Sequence, residues 1–134
     1  MEYVKKTVLE ITGHIRDVAE KLSEKEMQNA IDMIIRSKRV FLDGVGRSGM
    51  VARSFAMRLS HLKFEVFVVG ETITPAVKDG DLFIAVSGSG ETTSVINASA
   101  SAKKAGASLL CITSDPSSTL GKMCDATLHI GHVR

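Results

Sequence analysis

Residues 82–92 read LFIAVSGSGET, a run of five apolar residues followed by glycines and hydroxyl side chains. The apolar run lacks polar alternation, which is typical of a strand buried on both faces of a sheet. A helical stretch from about Thr92 to Lys104 follows immediately. This order of strand, tight turn and helix predicts that residues 87–92 lie at the carboxyl end of a parallel strand, where α/β proteins bind their ligands.

Four further apolar runs predict the other strands of the same sheet. They span residues 40–42, 64–69, 109–112 and 126–130. Helical stretches at about 48–62 and 118–124 lie between them, whereas residues 71–80 lack helical periodicity. Alternating strands and helices predict an α/β fold, a three-layer sandwich with a five-stranded parallel sheet flanked by helices. The length of 134 residues fits one domain spanning residues 1–134.

An N-terminal helical segment, residues 1–36, precedes the first strand. Its first helix has an apolar stripe at helical spacing, which we expect to pack on the domain's own core or on a partner subunit. Ser23 and Glu26 then read as a capping box that opens a second helix ending near Arg36. The stripe consists of Val4, Val8, Ile11, Ile15, Val18 and Leu22. The predicted buried face of the second helix consists of Met27, Ala30, Ile31, Ile34 and Ile35.

The composition argues against several classes of partner. The net charge is +2, and with one Tyr and no Trp there is no reason to expect nucleic-acid binding. We interpret the cluster of Arg36, Lys38 and Arg39 as a solvated helix end. No secretory signal or apolar run of membrane-spanning length is present, so we expect no membrane partner and a cytoplasmic location.

The loop from Ser87 to Thr92 has the composition of a phosphate-binding turn. Gly88 lets the backbone approach an anion, and the following helix offers unpaired N–H groups and the positive end of its dipole. Ser87, Ser89 and Thr92 add three hydroxyl donors, and no lysine is present, so a phosphate monoester fits better than a nucleotide. The alternative is a helix cap whose serines serve only the turn.

A second glycine-rich loop, GVGRSG at residues 44–49, follows the first predicted strand. It matches the G-x-G-x-x-G motif, and Glu71 lies near the position of a ribose-binding acid, so a dinucleotide site is an alternative. Gly46 and Arg47 are also candidate contacts of a phosphorylated ligand, with Arg47 as a cation. Arg47 is otherwise a surface charge or one half of an ion pair.

The histidines leave catalytic and structural roles open. His61 lies near the end of the helix that begins at Ser48, where a lone histidine is usually structural or exposed. His129, His132 and Cys124 match no standard zinc spacing. We therefore predict no metal ion.

Three segments together make the chain resemble a SIS (sugar isomerase) domain, and within that superfamily the 6-phospho-3-hexuloisomerases. The resemblance implies that Ser48, Ser87, Ser89 and Thr92 hold a sugar phosphate and that His61 belongs to the active site. It also implies isomerisation of a phosphorylated 3-hexulose without metal or cofactor, in a homo-oligomer, a tetramer or dimer, with sites near subunit boundaries. The segments are GVGRSGMVARSFAMRLSHL from Gly44, VFVVGETITPAVKDGDLFIAVSGSGET from Val66 and CITSDPSSTLGKMCD from Cys111.

The same resemblance bears on the catalytic base. Members continue after the fifth strand with a TLFE-type segment and a final helix, and that glutamate is the expected base. This sequence ends at His132-Val133-Arg134, before such a segment. Glu91 is then the only acid inside a phosphate loop, and we name His61 and Glu91 as catalytic candidates. A non-catalytic SIS module that binds a phosphosugar as a regulatory ligand is the alternative.

Overall fold

The computed structural model describes residues 1–131, which form five helices and five strands. Each predicted strand and helix is present, with ends shifted by at most two residues. In chain order they are α1 (Glu2–Lys21), α2 (Glu24–Arg36), β1 (Val40–Asp43), α3 (Arg47–His61), β2 (Val66–Val68), β3 (Leu82–Val86), α4 (Thr93–Lys104), β4 (Ser108–Thr113), α5 (Thr119–Met123) and β5 (Ala126–His129).

The five strands form one parallel sheet in the order β2-β1-β3-β4-β5. The α/β fold with a five-stranded parallel sheet flanked by helices is therefore confirmed. The chain places β2 on one side of β1 and all later strands on the other. Such a reversal separates the loops after β1 and β3 and opens a crevice at their carboxyl ends.

The central strands β1, β3 and β4 explain the unbroken apolar runs, because their side chains are buried in two separate core layers. Val40, Leu42 and Ile84 pack on one face together with residues of α2 and α3. Phe41 and Phe83 pack on the other face with residues of α4 and α5. The sheet thus holds α3 and α4 on opposite faces, and both helices begin at the carboxyl ends of the strands.

The opposite end of the sheet, where the strands begin, is held by an ion pair between the half-buried Arg39 and the buried Asp81. Arg39 Nε donates to Asp81 Oδ1 at 3.0 Å and Nη2 to Oδ2 at 2.6 Å. The Asp81 side chain is only 2% exposed and also accepts from the Lys78 N–H at 2.7 Å. The guanidinium lies 5.1 Å from the Phe41 ring centroid. The interpretation of Arg39 as part of a solvated helix end is therefore wrong.

The predicted capping box of α2 is half formed. Ser23 Oγ accepts from the Glu26 N–H at 3.2 Å. The Glu26 carboxylate, however, accepts from the His129 N–H at 2.9 Å, which ties α2 to the end of β5. The predicted buried face is also partly wrong, since Ile31 and Ile35 are 49% and 64% exposed.

The helix α1 contributes no buried residue. Val4, Val8, Ile11 and Ile15 of its apolar stripe are each more than half exposed. These four side chains therefore do not pack on the core formed by residues 1–131, while Val18 and Leu22 at the end of the stripe are half-buried. Packing of the stripe on a partner subunit stays a prediction. None of the described helices is both long and apolar enough to cross a bilayer.

Candidate functional site

The loops after β1 and β3 lie on the two sides of this crevice, because these strands are direct neighbours, with Asp43 paired to Ala85. In the first loop, a Cβ on Gly44 would lie 2.8 Å from the Ser48 carbonyl oxygen, so the loop folds tightly onto the first turn of α3. Gly46 has a φ of +62° and is the N-cap of α3. Glycine at these positions therefore allows α3 to begin at Arg47 directly beside the crevice.

The N-terminus of α4 is open at the second loop. Thr92 is the N-cap, but no side chain of the described residues caps the helix. The first N–H groups of a helix have no partner within the helix, and they form its positive dipole end. The serines therefore do not cap α4, although both accept hydrogen bonds from backbone N–H groups of the turn before it. The N–H groups of Thr93, Ser94 and Val95 are suited to receive an anion.

The three predicted hydroxyl donors of the second loop differ in position. Ser87 is buried, and its Oγ accepts from the Gly90 N–H at 3.0 Å and shares a 2.9 Å hydrogen bond with Thr92 Oγ1. Ser89 is exposed, and its Oγ accepts from the Glu91 N–H at 3.1 Å, which leaves the hydroxyl hydrogen for a ligand. Ser87 thus braces the loop, while Ser89 faces outward.

The residues after β4 fix the second loop in place. The Gly88 carbonyl accepts from Thr113 Oγ1 at 3.1 Å and from the Ser114 N–H at 3.1 Å and hydroxyl at 2.5 Å. The Leu120 N–H donates to the Gly90 carbonyl at 3.0 Å. Gly90 has a φ of +71°, and a Cβ there would lie 1.9 Å from Ser118 Oγ. The loop is therefore built against α5 with no space for a side chain at Gly90.

Glu91 also belongs to this support. Its carboxylate accepts from the Thr119 hydroxyl at 2.6 Å and from the Thr119 N–H at 2.9 Å. These two hydrogen bonds hold the pKa of Glu91 below its usual range. The structure thus places this catalytic candidate at the first turn of α5 as an ionised acceptor, with both oxygens engaged.

The remaining predicted residues lie at the two ends of α3. Arg47 is its exposed first residue, and Ser48 is half-buried beside it; no ion pair of Arg47 exists among residues 1–131. His61 is the last residue of the same helix and is exposed. A helix of this length places them about 20 Å apart. One chain therefore does not bring His61 to its own phosphate loop.

Sequence reasoning missed Asp43, which lies at the carboxyl end of β1 between the two loops. Its side chain is buried, and burial raises the pKa of its carboxyl, opposed by a hydrogen bond from the Gly44 N–H. The available signal was an acid that ends an apolar strand directly before a glycine-rich turn.

The histidines near the C-terminus do not form a metal site in the described part of the chain. His129 Nε2 lies 3.2 Å from the Ser114 carbonyl oxygen. Within residues 1–131, no three His, Cys, Asp or Glu side chains are grouped to hold a metal ion. His132, Val133 and Arg134 lie outside the described residues.

The chain is similar to several known proteins. Residues 33–134 match the family model of the SIS domain. A protein of Archaeoglobus fulgidus is 42% identical over 118 residues, 88% of this chain and 64% of the relative. The 3-hexulose-6-phosphate isomerase of Bacillus subtilis strain 168 is 41% identical over 123 residues, 92% of this chain and 66% of that enzyme.

A solved structure is also similar to this chain. A Methanococcus jannaschii protein, for which the structure led to an inferred function as a 3-hexulose-6-phosphate isomerase, superposes with a TM-score of 0.79 at 38% identity. The match covers 83% of this chain and 62% of that protein. The chain thus spans about two thirds of the length of the relatives it matches.

Proposed function

Because the chain belongs to the SIS domain family, we propose that it interconverts a 3-hexulose 6-phosphate and fructose 6-phosphate. The observation that carries this proposal is the uncapped N-terminus of α4 beside the outward-facing hydroxyl of Ser89. The phosphate binds there, held by backbone N–H groups and by the hydroxyls of Ser89 and Thr92. Arg47 and Ser48 approach the same ligand from the start of α3.

The reaction moves a proton between adjacent carbons through an enediol. It needs a group that takes the proton beside the carbonyl and donors that stabilise the developing oxyanion. Glu91 is an unsuitable proton acceptor for two reasons. Its pKa is lowered, and both of its carboxylate oxygens already accept hydrogen bonds from Thr119. We therefore assign Glu91 to the support of the loop and keep His61 as the acid–base candidate.

His61 reaches a phosphate loop only if that loop belongs to a second copy. Met50, Ser54, Met57 and His61 are spaced by four, three and four residues, which places them on one face of α3. Met50 and Met57 are 68% and 54% exposed. Two α3 helices packed antiparallel about a two-fold axis at Ser54 bring each His61 beside the other copy's Arg47, since both lie seven residues from Ser54.

The exposed stripe of α1 provides a second surface for subunit contact. Two different two-fold contacts, one through α3 and one through α1, build a tetramer. In this arrangement the N-terminal helices cover a partner subunit, and each active site contains residues of two chains.

Mixing two inactive variants tests the shared site. His61→Ala and Gly90→Ala homo-oligomers should each have strongly reduced isomerase activity, the first through loss of the acid–base group and the second through loss of tight sugar-phosphate binding. If the site is shared, refolding them together at equal ratio restores about one quarter of the wild-type activity, because half of the sites in mixed pairs carry neither substitution. Production of fructose 6-phosphate is measured in a coupled assay. No recovery, with mixed oligomers verified by mass, would place His61 outside the shared site.

Removal of the Ser89 hydroxyl tests the phosphate loop directly. Ser89→Ala should raise the Kd for fructose 6-phosphate about fivefold, because a net hydrogen bond of about 1 kcal/mol is lost. Isothermal titration calorimetry measures the affinity, and Ser60→Ala on the exposed surface of α3 is the matched control. Equal affinities of the two variants would argue against ligand binding by this loop.

A non-catalytic phosphosugar-binding module is the second candidate. The observation that favours it is the engagement of Glu91, the only acid within a phosphate loop, by Thr119. Such a module would bind fructose 6-phosphate with the same loop and show no turnover in the coupled assay. Measurable turnover by wild type would remove this candidate.

A further inference from the structure

Asp43 is a buried carboxyl group for which the fold provides little compensation. The residue is 8% exposed, and the one ion pair within residues 1–131 joins Arg39 to Asp81 instead. Within the same residues, the Asp43 carboxyl accepts a hydrogen bond from the Gly44 N–H alone. Burying a carboxyl with so few partners costs folding free energy, so its presence at a ligand crevice points to a role in the bound state.

The position of Asp43 relative to the phosphate loop follows from the strand register. Asp43 pairs with Ala85 on β3, and Ser87 lies two residues beyond Ala85. Side chains two residues apart share a face of the sheet, so Asp43 and Ser87 project from the same face. Strand spacing and rise place their Cα atoms about 8 Å apart. A phosphorylated six-carbon chain held at α4 has the length to reach Asp43.

The chemistry of the carboxyl group selects which part of a ligand it contacts. A carboxylate repels a phosphate, but it accepts hydrogen bonds from hydroxyl groups, and bonds to a charged acceptor are stronger than neutral ones. We propose that Asp43 binds hydroxyl groups of the sugar chain, while the N-terminus of α4 and Ser89 hold the phosphate. Asp43 then determines specificity for a polyhydroxylated phosphate monoester over a bare phosphate. This inference rests on the proposed function, because it concerns the same ligand.

Two ligands and two variants test the inference. Wild type, Asp43→Ala and Asp43→Asn are titrated by calorimetry with fructose 6-phosphate and with inorganic phosphate. We expect Asp43→Ala to raise the Kd for fructose 6-phosphate about tenfold and to leave the Kd for inorganic phosphate unchanged. Asp43→Asn should lose less affinity, since its amide oxygen still accepts a hydroxyl hydrogen. Thermal melting confirms that each variant is folded, and the near-isosteric Asn variant carries the test if Ala does not fold.

Each other outcome overturns a specific statement. If wild type prefers fructose 6-phosphate and both variants keep that preference, the role of Asp43 is wrong while the proposed function stands. Equal loss of affinity for both ligands means that Asp43 only supports the loop, which also overturns the inference. If wild type binds inorganic phosphate as tightly as fructose 6-phosphate, the proposed function itself fails, and the specificity role of Asp43 fails with it.

Discussion

Replacement of Asp81 by alanine should lower the free energy of unfolding by about 1.5–3 kcal/mol, because hydrogen bonds to a buried charged group are lost. Here the Lys78 N–H loses its acceptor, and the Arg39 guanidinium loses both carboxylate oxygens and keeps the Ala76 carbonyl. A domain of this size has a total stability of about 5–15 kcal/mol, so this loss is a substantial fraction of the whole. Urea denaturation followed by circular dichroism measures the loss.

The neighbouring Asp79→Ala variant is the matched control, because Asp79 is exposed two residues away. It should unfold near the wild-type urea concentration. A loss in Asp81→Ala no larger than in this control would mean that the ion pair does not hold the sheet end.

The same ion pair gives stability a defined pH dependence. Burial raises the pKa of Asp81, but the hydrogen bonds from Arg39 and the Lys78 N–H outweigh it and hold the pKa below its usual value. Its contribution to stability is therefore fully present above the pKa of an unfolded aspartate, about 3.9, and is lost as pH falls through the lowered folded value. The free energy of unfolding of Asp81→Asn should therefore fall less steeply with decreasing pH than that of wild type, as measured by urea denaturation at a series of acidic pH values.

Replacement of Gly90 by alanine should abolish tight sugar-phosphate binding. A Cβ at this position would lie 1.9 Å from Ser118 Oγ, on a residue whose φ is +71°. The positive φ costs about 1–2 kcal/mol and the overpacking about 1–3 kcal/mol. We expect the loop to separate from α5, the Kd for fructose 6-phosphate to rise more than tenfold, and the urea midpoint to fall.

Gly88→Ala in the same loop is the control for this substitution. A Cβ at Gly88 meets no atom within 4 Å, and its φ is not positive. Its stability should therefore stay near that of wild type. Wild-type affinity in Gly90→Ala would show that the contact between the loop and α5 does not shape the binding site.

The strands were predictable from sequence because a two-sided buried strand leaves a continuous apolar run. Residues 82–86 were predicted as a strand and form β3 without any shift of its ends. The edge strand β2 is shorter than its apolar run, since it pairs on one side with β1 over only three residues. The loops were predictable because glycines and hydroxyl side chains follow the strands directly.

Long-range partners were not predictable, because no local pattern encodes them. Glu91 is 28 residues from Thr119, and Arg39 is 42 residues from Asp81. The buried face of α2 was partly wrong for the same reason. Its orientation depends on the contact of Glu26 with His129, 103 residues away, which helical spacing does not contain.

The Gly88 carbonyl accepts three hydrogen bonds, and these affect the kinetics of ligand binding. A loop already fixed by Thr113 and Ser114 needs no ordering step when a ligand arrives. Encounter is then governed by diffusion rather than by a preceding conformational change. Differences in affinity among sugar phosphates should therefore reside mainly in how long each one stays bound.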